Sequence, residues 1–362
     1  MADFPEGSPP AGNRLPMSTP DITIAVDVMG GDFAPDAIMD GVAEALARLG
    51  DSCKLFLVGD QTRIRENLAR LALSDGDERL EIVHADEIIG MDEHPVKAIR
   101  EKRHSSITMS MDLVKQGRAQ GVFSAGSTGA AVGAAFLKWR MLPGLARPGL
   151  ATLLPKETGG HWVLMDSGAT VDCTPTYLAQ FAVMGDLYAR HILKRQNPAI
   201  GLLSNGTEVG KGNRQTQDAF RLIREIPGLN FVGNIEGHDL FTEDLDVVIC
   251  DGFVGNIVLK TSEQLARSLS RMIKDSIMSR LTWKMGGLLC KGAFAAIKQA
   301  TDASEIGGVP LLGVNGCCII GHGNSNGHAA ANGILAVRDF IASRINEKIV
   351  AQVHESALDQ LN

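Results

Sequence analysis

The chain has 362 residues, of which 44% are apolar, only 5% are aromatic and 40 are glycine. It is long enough for one large α/β domain or two modest ones, and many glycines with few aromatics fit a parallel sheet with tight turns. A net charge of −7 with no long basic run speaks against nucleic acid as a partner, and no apolar stretch is long enough to span a bilayer.

Residues 1–20 carry five prolines and read as a disordered tail. They show neither a basic n-region nor an apolar h-region, so a cytoplasmic protein is expected. A strand at 22–27 runs into Val28-Met29-Gly30-Gly31-Asp32, and Pro35 introduces a helix over 36–49. Strands at 54–58 and 80–84 flank a helix at 61–73. Residues 95–117 read as one long helix with Lys97, Arg100, Lys102 and Arg103 near its start. Cations there oppose the helix dipole, so they form either a solvated face or an anion contact.

Gly121-Val122-Phe123 is a short apolar strand that turns through Ser124-Ala125-Gly126-Ser127-Thr128-Gly129-Ala130 into an alanine-rich helix ending near Trp139. Such a turn leaves unpaired N–H groups aimed at one spot, where the dipole favours an anion, typically phosphate. No Lys follows the second glycine, so this is not a Walker A loop; a plain Ser/Thr helix cap is the alternative.

Beyond it the alternation continues: strands at 150–155 and 162–166, a helix at 175–194, and a strand at 200–204. The loop from Asn205 to Asn213 holds Lys211 between two glycines. Strands at 231–235 and 247–251 follow, and Asp251-Gly252-Phe253-Val254-Gly255-Asn256 opens a long helix. An apolar run over 309–320 leads to Gly321-His322-Gly323, a helix from about 329, and a charged helical tail over 346–362. This order predicts a doubly wound, mainly parallel sheet in an α/β/α sandwich, one domain over 21–345, with its site at the carboxyl ends of the strands. No G-x-G-x-x-G follows a strand, so a dinucleotide cofactor is not expected.

The six cysteines show no C-x-x-C and no paired Cys/His spacing, which argues against a metal site and a disulfide framework. Cys250 and Cys317 sit in apolar runs; Cys173 lies in a polar loop. The strand-end loops offer hydroxyls, amides, Lys211, His322 and the carboxylates Asp27, Asp32, Asp166 and Asp251. That set serves anion binding and charge stabilisation better than covalent catalysis. Asp251 also reads as a helix cap.

Several motifs recur here in one order: Ala25-Val26-Asp27 with Met29-Gly30-Gly31-Asp32, Pro95-Val96-Lys97-Ala98-Ile99-Arg100, Ser124 to Ala130, Gly210 to Asn213, Asp251 to Asn256, and Pro310-Leu311-Leu312-Gly313-Val314-Asn315-Gly316. In these the chain resembles the acyl-ACP:phosphate acyltransferases (the PlsX family) of bacterial phospholipid synthesis, over about 21–340. Ser167 and Thr170, Ser204 to Thr207, Ile306 and Gly321 depart from the usual pattern. The resemblance implies a homodimer with a core like those of phosphotransacetylases and isocitrate dehydrogenases. It implies transfer of the acyl group from acyl carrier protein to inorganic phosphate, with the product passing to a membrane glycerol-3-phosphate acyltransferase. Ser124, Gly126, Ser127, Thr128 and Gly129 are then expected to bind phosphate. Lys211, Asn213, Asp251, Asn256 and His322 are expected to orient the reacting groups, with Asp27, Gly30, Gly31, Asp32, Lys97 and Asp166 elsewhere in the cleft. An enzyme using acyl-coenzyme A and a non-catalytic membrane-associated scaffold are the alternatives.

Finally, residues 275–305 read as a protruding helical tip. On a helical wheel Arg280, Lys284, Lys291 and Lys298 form a narrow stripe beside a broad apolar face that includes Trp283, Leu288, Leu289 and Phe294, which suits a peripheral membrane contact. A dimer-buried helix pair is the competing expectation, and Gly286-Gly287 is the expected break.

Overall fold

The structure, a computed structural model, describes residues 22–241, 244–300 and 303–361; the expected tail at 1–20 and the Lys298 side chain lie outside the described residues. In chain order the strands are β1 (Ile22–Asp27), β2 (Cys53–Gly59), β3 (Leu80–His84), β4 (Gly121–Ser124), β5 (Gly149–Leu150), β6 (Thr152–Pro155), β7 (His161–Met165), β8 (Ala199–Leu203), β9 (Asn230–Ile235), β10 (Val247–Ile249), β11 (Val309–Leu312) and β12 (Cys317–Ile320). The helices are α1 (Asp36–Leu49), α2 (Gln61–Arg70), α3 (Pro95–Glu101), α4 (Ser106–Lys115), α5 (Thr128–Trp139), α6 (Pro175–His191), α7 (Arg214–Glu225), α8 (Gly252–Met278), α9 (Leu281–Leu289), α10 (Lys291–Ala300), α11 (Gly327–Ser343) and α12 (Ile345–Glu355).

The expected mainly parallel α/β architecture is present, with its strands divided between two sheets. The first has the order β3-β2-β1-β4-β12-β11-β5, the second β6-β7-β10-β8-β9. All pairs are parallel except β12–β11, β11–β5 and β6–β7. The parallel strands are buried along most of their length, as β1 shows from Thr23 to Asp27, because helices cover both faces. The 309–320 run is two antiparallel strands, reversing at Val314-Asn315-Gly316, where Asn315 N–H bonds Arg140 O at 3.0 Å.

Helix α1 buries Ile38, Met39, Val42, Ala45, Leu46 and Leu49, the 3–4 spacing of one apolar face. Its Gly41 lies against α11 so closely that a Cβ there would stand 2.5 Å from Ala330 Cβ and 2.7 Å from Gly327 O. On α11, a Cβ at Gly333 would meet the Phe123 ring of β4 at 2.1 Å. Small residues thus set the distance from α1 through α11 to the central strand.

Two expectations change. The 95–117 helix is two helices, because the intervening turn is tied down elsewhere. Lys102 leaves the helical region and its Nζ bonds Ile88 O (2.8 Å) and Glu93 (2.6 Å), while Ser106 N–H bonds Glu87 O at 3.2 Å. In the tip, α9 runs through Gly286-Gly287 and the breaks fall at Ser279-Arg280 and at Cys290. Gly287 is seated against α8, where a Cβ would lie 2.6 Å from Ile277 Cγ2. The cationic stripe is therefore split between α9 and α10. The charged tail is helical where α12 forms; it buries Ile345, Ile349 and Val353, and α6 is the helix it packs against.

Gly41→Leu should lower the unfolding free energy by at least about 1–3 kcal/mol, the usual cost of forcing carbon into a packed interior. Urea denaturation beside wild type checks it; an unchanged midpoint would mean that α1 and α11 separate freely.

Candidate active site

The register of the first sheet places Asp27 beside Ser124, and Ser124 beside Ile320. The carboxyl ends of β1, β4 and β12 therefore open together. The Ser124 hydroxyl donates to Asp27 Oδ2 at 2.6 Å and its oxygen accepts Gly126 N–H at 3.2 Å. Both side chains are buried. Gly30 has no room for a side chain, since a Cβ would lie 2.6 Å from Asp27 Oδ2 and 2.8 Å from Gly126 N. Gly31 has φ +112°, a conformation suited to glycine. The next N–H, of Asp32, bonds Gly323 O at 2.7 Å, joining the β1 loop to the His322 loop. His322 is exposed and its Nδ1 accepts Asn324 N–H at 3.3 Å.

Ser127 caps α5, accepting Ala130 N–H at 3.4 Å. The first N–H groups of a helix have no acceptor within it, so those of Thr128 and Gly129, both exposed, remain as outward donors, and the Ser127 hydroxyl keeps its proton to donate. Ser106, the first residue of α4, faces the same spot. Asp27, Gly30, Ser106, Ser124, Gly126 and Ser127 line a pocket of about 10 Å³, room for one water or for a single oxygen atom of a larger group standing at its mouth. The sequence reading missed Ser106 because it took 95–117 as one helix. Ser105-Ser106 is a hydroxyl pair of the kind that starts helices, and that signal was available.

Burial pushes the Asp27 carboxyl above the ordinary carboxylate range; the Ser106 and Ser124 hydroxyls and the Met29 and Gly30 N–H groups offset part of the effect. By strict geometry Asp27 Oδ1 has no hydrogen-bond partner, so those other neighbours act at longer range than the 2.6 Å bond from Ser124.

The second sheet presents another group. Asp166 Oδ1 accepts N–H groups from Leu150 (2.8 Å), Gly168 (3.0 Å) and Ala169 (3.0 Å), and Oδ2 accepts Thr170 N–H at 2.6 Å. Burial raises its pKa while these four donors favour the charged form. Asp166 is thus the anchor of the 167–170 turn rather than a group facing solvent. Ser167 and Thr170, the two departures from the family pattern, have internal bonds to Thr152 (2.6 Å) and Pro148 O (2.8 Å). Asp251 caps α8, accepting Val254 N–H at 2.8 Å, as its alternative reading expected. Asn256, one turn on and exposed, lies 3.6 Å from the position of a Cβ on Gly168.

A third loop carries Lys211 and Asn213. Asn213 caps α7 through Thr216 N–H at 2.9 Å. Lys211 is exposed, its stem covering Gly206. Because β7, β10 and β8 are parallel neighbours, the Asp166, Asp251 and Lys211 loops share one edge. Among the described residues no hydrogen bond or ion pair joins Lys211 to the Ser124 loop. Lys97 is exposed on α3, 4.0 Å from Glu101, and the start of that helix touches the Ser124–Gly129 loop: a Cβ on Gly129 would meet Pro95 Cγ at 2.7 Å. Cys173 is half-buried with its thiol pushed up to about 12, chiefly by burial, and burial raises Cys250, Cys317 and Cys318 as well. These thiols stay protonated near neutral pH.

The family described as fatty acid synthesis protein matches residues 22–348. The chain belongs to that family. It is 43% identical over 332 residues to the phosphate acyltransferase of Syntrophotalea carbinolica, covering 92% of this chain and 94% of that one. It is 45% identical over 328 residues to the phosphate acyltransferase of Acidobacterium capsulatum, covering 91% and 96%. Among solved structures, a phosphotransacetylase from Streptococcus pyogenes has a TM-score of 0.60 at 20% identity, covering 90% of this chain and 94% of that one. One from Staphylococcus aureus has 0.57 at 16%, covering 89% and 96%. At such identity these two establish the fold.

Because burial raises the Asp27 pKa, the folded protein keeps this proton at pH values where the unfolded chain has lost it. The stability due to it is full below the ordinary value of 3.8 and falls as pH rises through the folded-state value, by about 1.4 kcal/mol per pH unit within that window. The difference in unfolding free energy between wild type and Asp27→Asn should therefore shift against wild type from pH 4 upward and then level off. A difference that stays flat would show that Asp27 titrates normally.

Proposed function

We propose that this protein moves a fatty acyl group from acyl carrier protein to inorganic phosphate, giving acyl phosphate and free carrier. The observation that carries this reading is the start of α5, where outward N–H groups and the Ser127 hydroxyl surround one open spot in a chain of the phosphate acyltransferase family. Phosphate held there is itself the nucleophile. The carrier thiol has a pKa near ~8.5, so it leaves without strong acid help. The work left to the protein is to hold phosphate beside the thioester and to stabilise the oxyanion. In this reading Lys211 supplies the positive charge, and Asn213 and Asn256 orient the carbonyl with their amides. Asp251 sets the start of α8, and His322 borders the phosphate side.

Two further parts of the proposal concern the long arm. Helix α8 has 27 residues, about 40 Å of helix, and Leu265, Leu269, Met272 and Ile273 stand exposed along it. A second copy of the chain covers this stretch. No helix among the described residues is long and apolar enough to cross a membrane. Leu288 and Leu289 are 72% and 88% exposed, with Trp283 and Phe294 nearby in the tip, and the tip rests on the bilayer surface as a peripheral contact. Acyl phosphate formed there passes to a membrane glycerol-3-phosphate acyltransferase over a short path.

Purified protein mixed with acyl-ACP and phosphate should form acyl phosphate, detected by mass spectrometry, with a higher kcat/KM than with acyl-coenzyme A. Turnover with the coenzyme A donor alone would support the phosphotransacetylase-like alternative, and assembly without turnover the scaffold. Ser127→Ala should raise the KM for phosphate, and Lys211→Ala should lower kcat by ~100-fold or more. Acyl transfer is direct, so a quench at steady state should leave no labelled acyl group on a Ser or Cys.

For the tip, Leu288→Glu/Leu289→Glu should lose co-sedimentation with anionic liposomes while remaining dimeric. Equal binding by wild type and variant would remove the tip from the membrane.

A further inference from the structure

We propose that Asp27 makes this site select an anion that carries its own proton, such as hydrogen phosphate, over sulfate, by accepting that proton in a hydrogen bond at Oδ1. The inference rests on the phosphate reading above and concerns how that site distinguishes one anion from another.

A carboxylate beside an anion site is a repulsive neighbour unless a proton lies between the two. Asp27 is only 2% exposed, lines the pocket at the start of α5, and has one oxygen fixed by Ser124. Its other oxygen, Oδ1, is buried and lacks a hydrogen-bond partner. The Ser124 proton is already engaged by Asp27, and the Ser124 oxygen accepts Gly126 N–H. The Ser106 hydroxyl acts on Asp27 itself, so the donors left for the anion are the Ser127 hydroxyl and the N–H groups at the start of α5. These serve any tetrahedral oxyanion equally. Asp27 is the acceptor of the set, and among tetrahedral oxyanions only one that places an O–H in the pocket satisfies it. Inorganic phosphate retains at least one proton near neutral pH; sulfate retains none. The energetic basis is the buried acceptor left unpaired beside a second negative charge. Sites built around such a bond reject analogues lacking the matching group by ~10⁴-fold or more.

Sulfate can enter if Asp27 itself takes up a proton, so rejection should weaken toward acid pH. The burial that raises the Asp27 pKa moves this window toward neutrality. Among the described residues, the titratable group that senses the Asp27 charge is the Cys318 thiol of β12, pushed up to about 12, which stays neutral throughout. Ser106 of α4, Ser124 of β4 and the Met29 and Gly30 N–H groups complete its surroundings.

The test is inhibition of phosphate-dependent acyl phosphate formation by sulfate and by arsenate, which keeps a proton as phosphate does. In wild type at pH 8, arsenate should compete with a Ki within about tenfold of the phosphate KM, and sulfate should be at least about 100-fold weaker. The sulfate Ki should fall by about tenfold per pH unit as pH drops toward the Asp27 value. In Asp27→Asn, whose fold is checked by its melting temperature, the amide can donate to either anion and sulfate should approach arsenate at every pH. Wild-type sulfate inhibition within tenfold of arsenate at pH 8 would overturn the proposal even if the variant does not fold. So would discrimination that survives in folded Asp27→Asn. A wild type that neither binds phosphate by calorimetry nor forms acyl phosphate would instead refute the phosphate reading itself.

Discussion

The hydrogen bond from Ser124 to Asp27 joins the ends of two adjacent parallel strands at 2.6 Å. Because Asp27 is buried, losing this partner would leave a buried carboxyl with still fewer bonds, which is costly. Its neighbours are correspondingly constrained. Gly30 must lack a side chain to pass over Asp27 Oδ2, and Gly126 must sit where its N–H reaches Ser124. The β1 loop is then held to the β12 loop by the Asp32–Gly323 bond. The Ser124–Gly129 loop is thus stiffened from beneath, and the start of α5 presents donors whose positions are set by the fold. Preorganisation of this kind makes dipoles effective at a charged ligand.

Packing around the loop serves the same end. The α1–α11 contact closes at Gly41, and α11 closes on the Phe123 ring at Gly333. Phe123 is the residue before Ser124, so the interior fixes the height of the strand end. By contrast, α8 beyond its first turn buries little, and α9 buries nothing. One chain therefore combines a closely packed loop with an arm whose apolar side chains stand exposed.

Much of this was legible in the sequence where local chemistry decides structure. The strand–glycine loop–helix units, the Ser127 cap and the Asp251 cap follow from residue types at strand ends. What was not legible was decided by distant partners. Nothing in Lys102 announces its bonds to Ile88 O and Glu93, yet these split the 95–117 helix and bring Ser106 into the site. Gly286-Gly287 has the composition of a helix break, but Gly287 is needed for contact with Ile277, and tertiary packing overrides the propensity. Division of the strands into two sheets also escaped a reading based on alternation, since β5 and β6 are separated by a single residue, Ala151, and belong to different sheets.

Asp27 and Asp166 show why a motif alone does not assign a role. Both are buried aspartates at the carboxyl end of a strand, and burial raises both above the ordinary range. Asp166 is saturated by four backbone N–H donors, so it fixes a turn and has little left to offer a ligand. Asp27 has one oxygen held by a single hydroxyl and the other without a partner. A folded chain rarely leaves a buried carboxyl oxygen unpaired unless something else completes it. Equal burial with unequal saturation distinguishes these two carboxylates, and that difference resides in the backbone geometry around each residue.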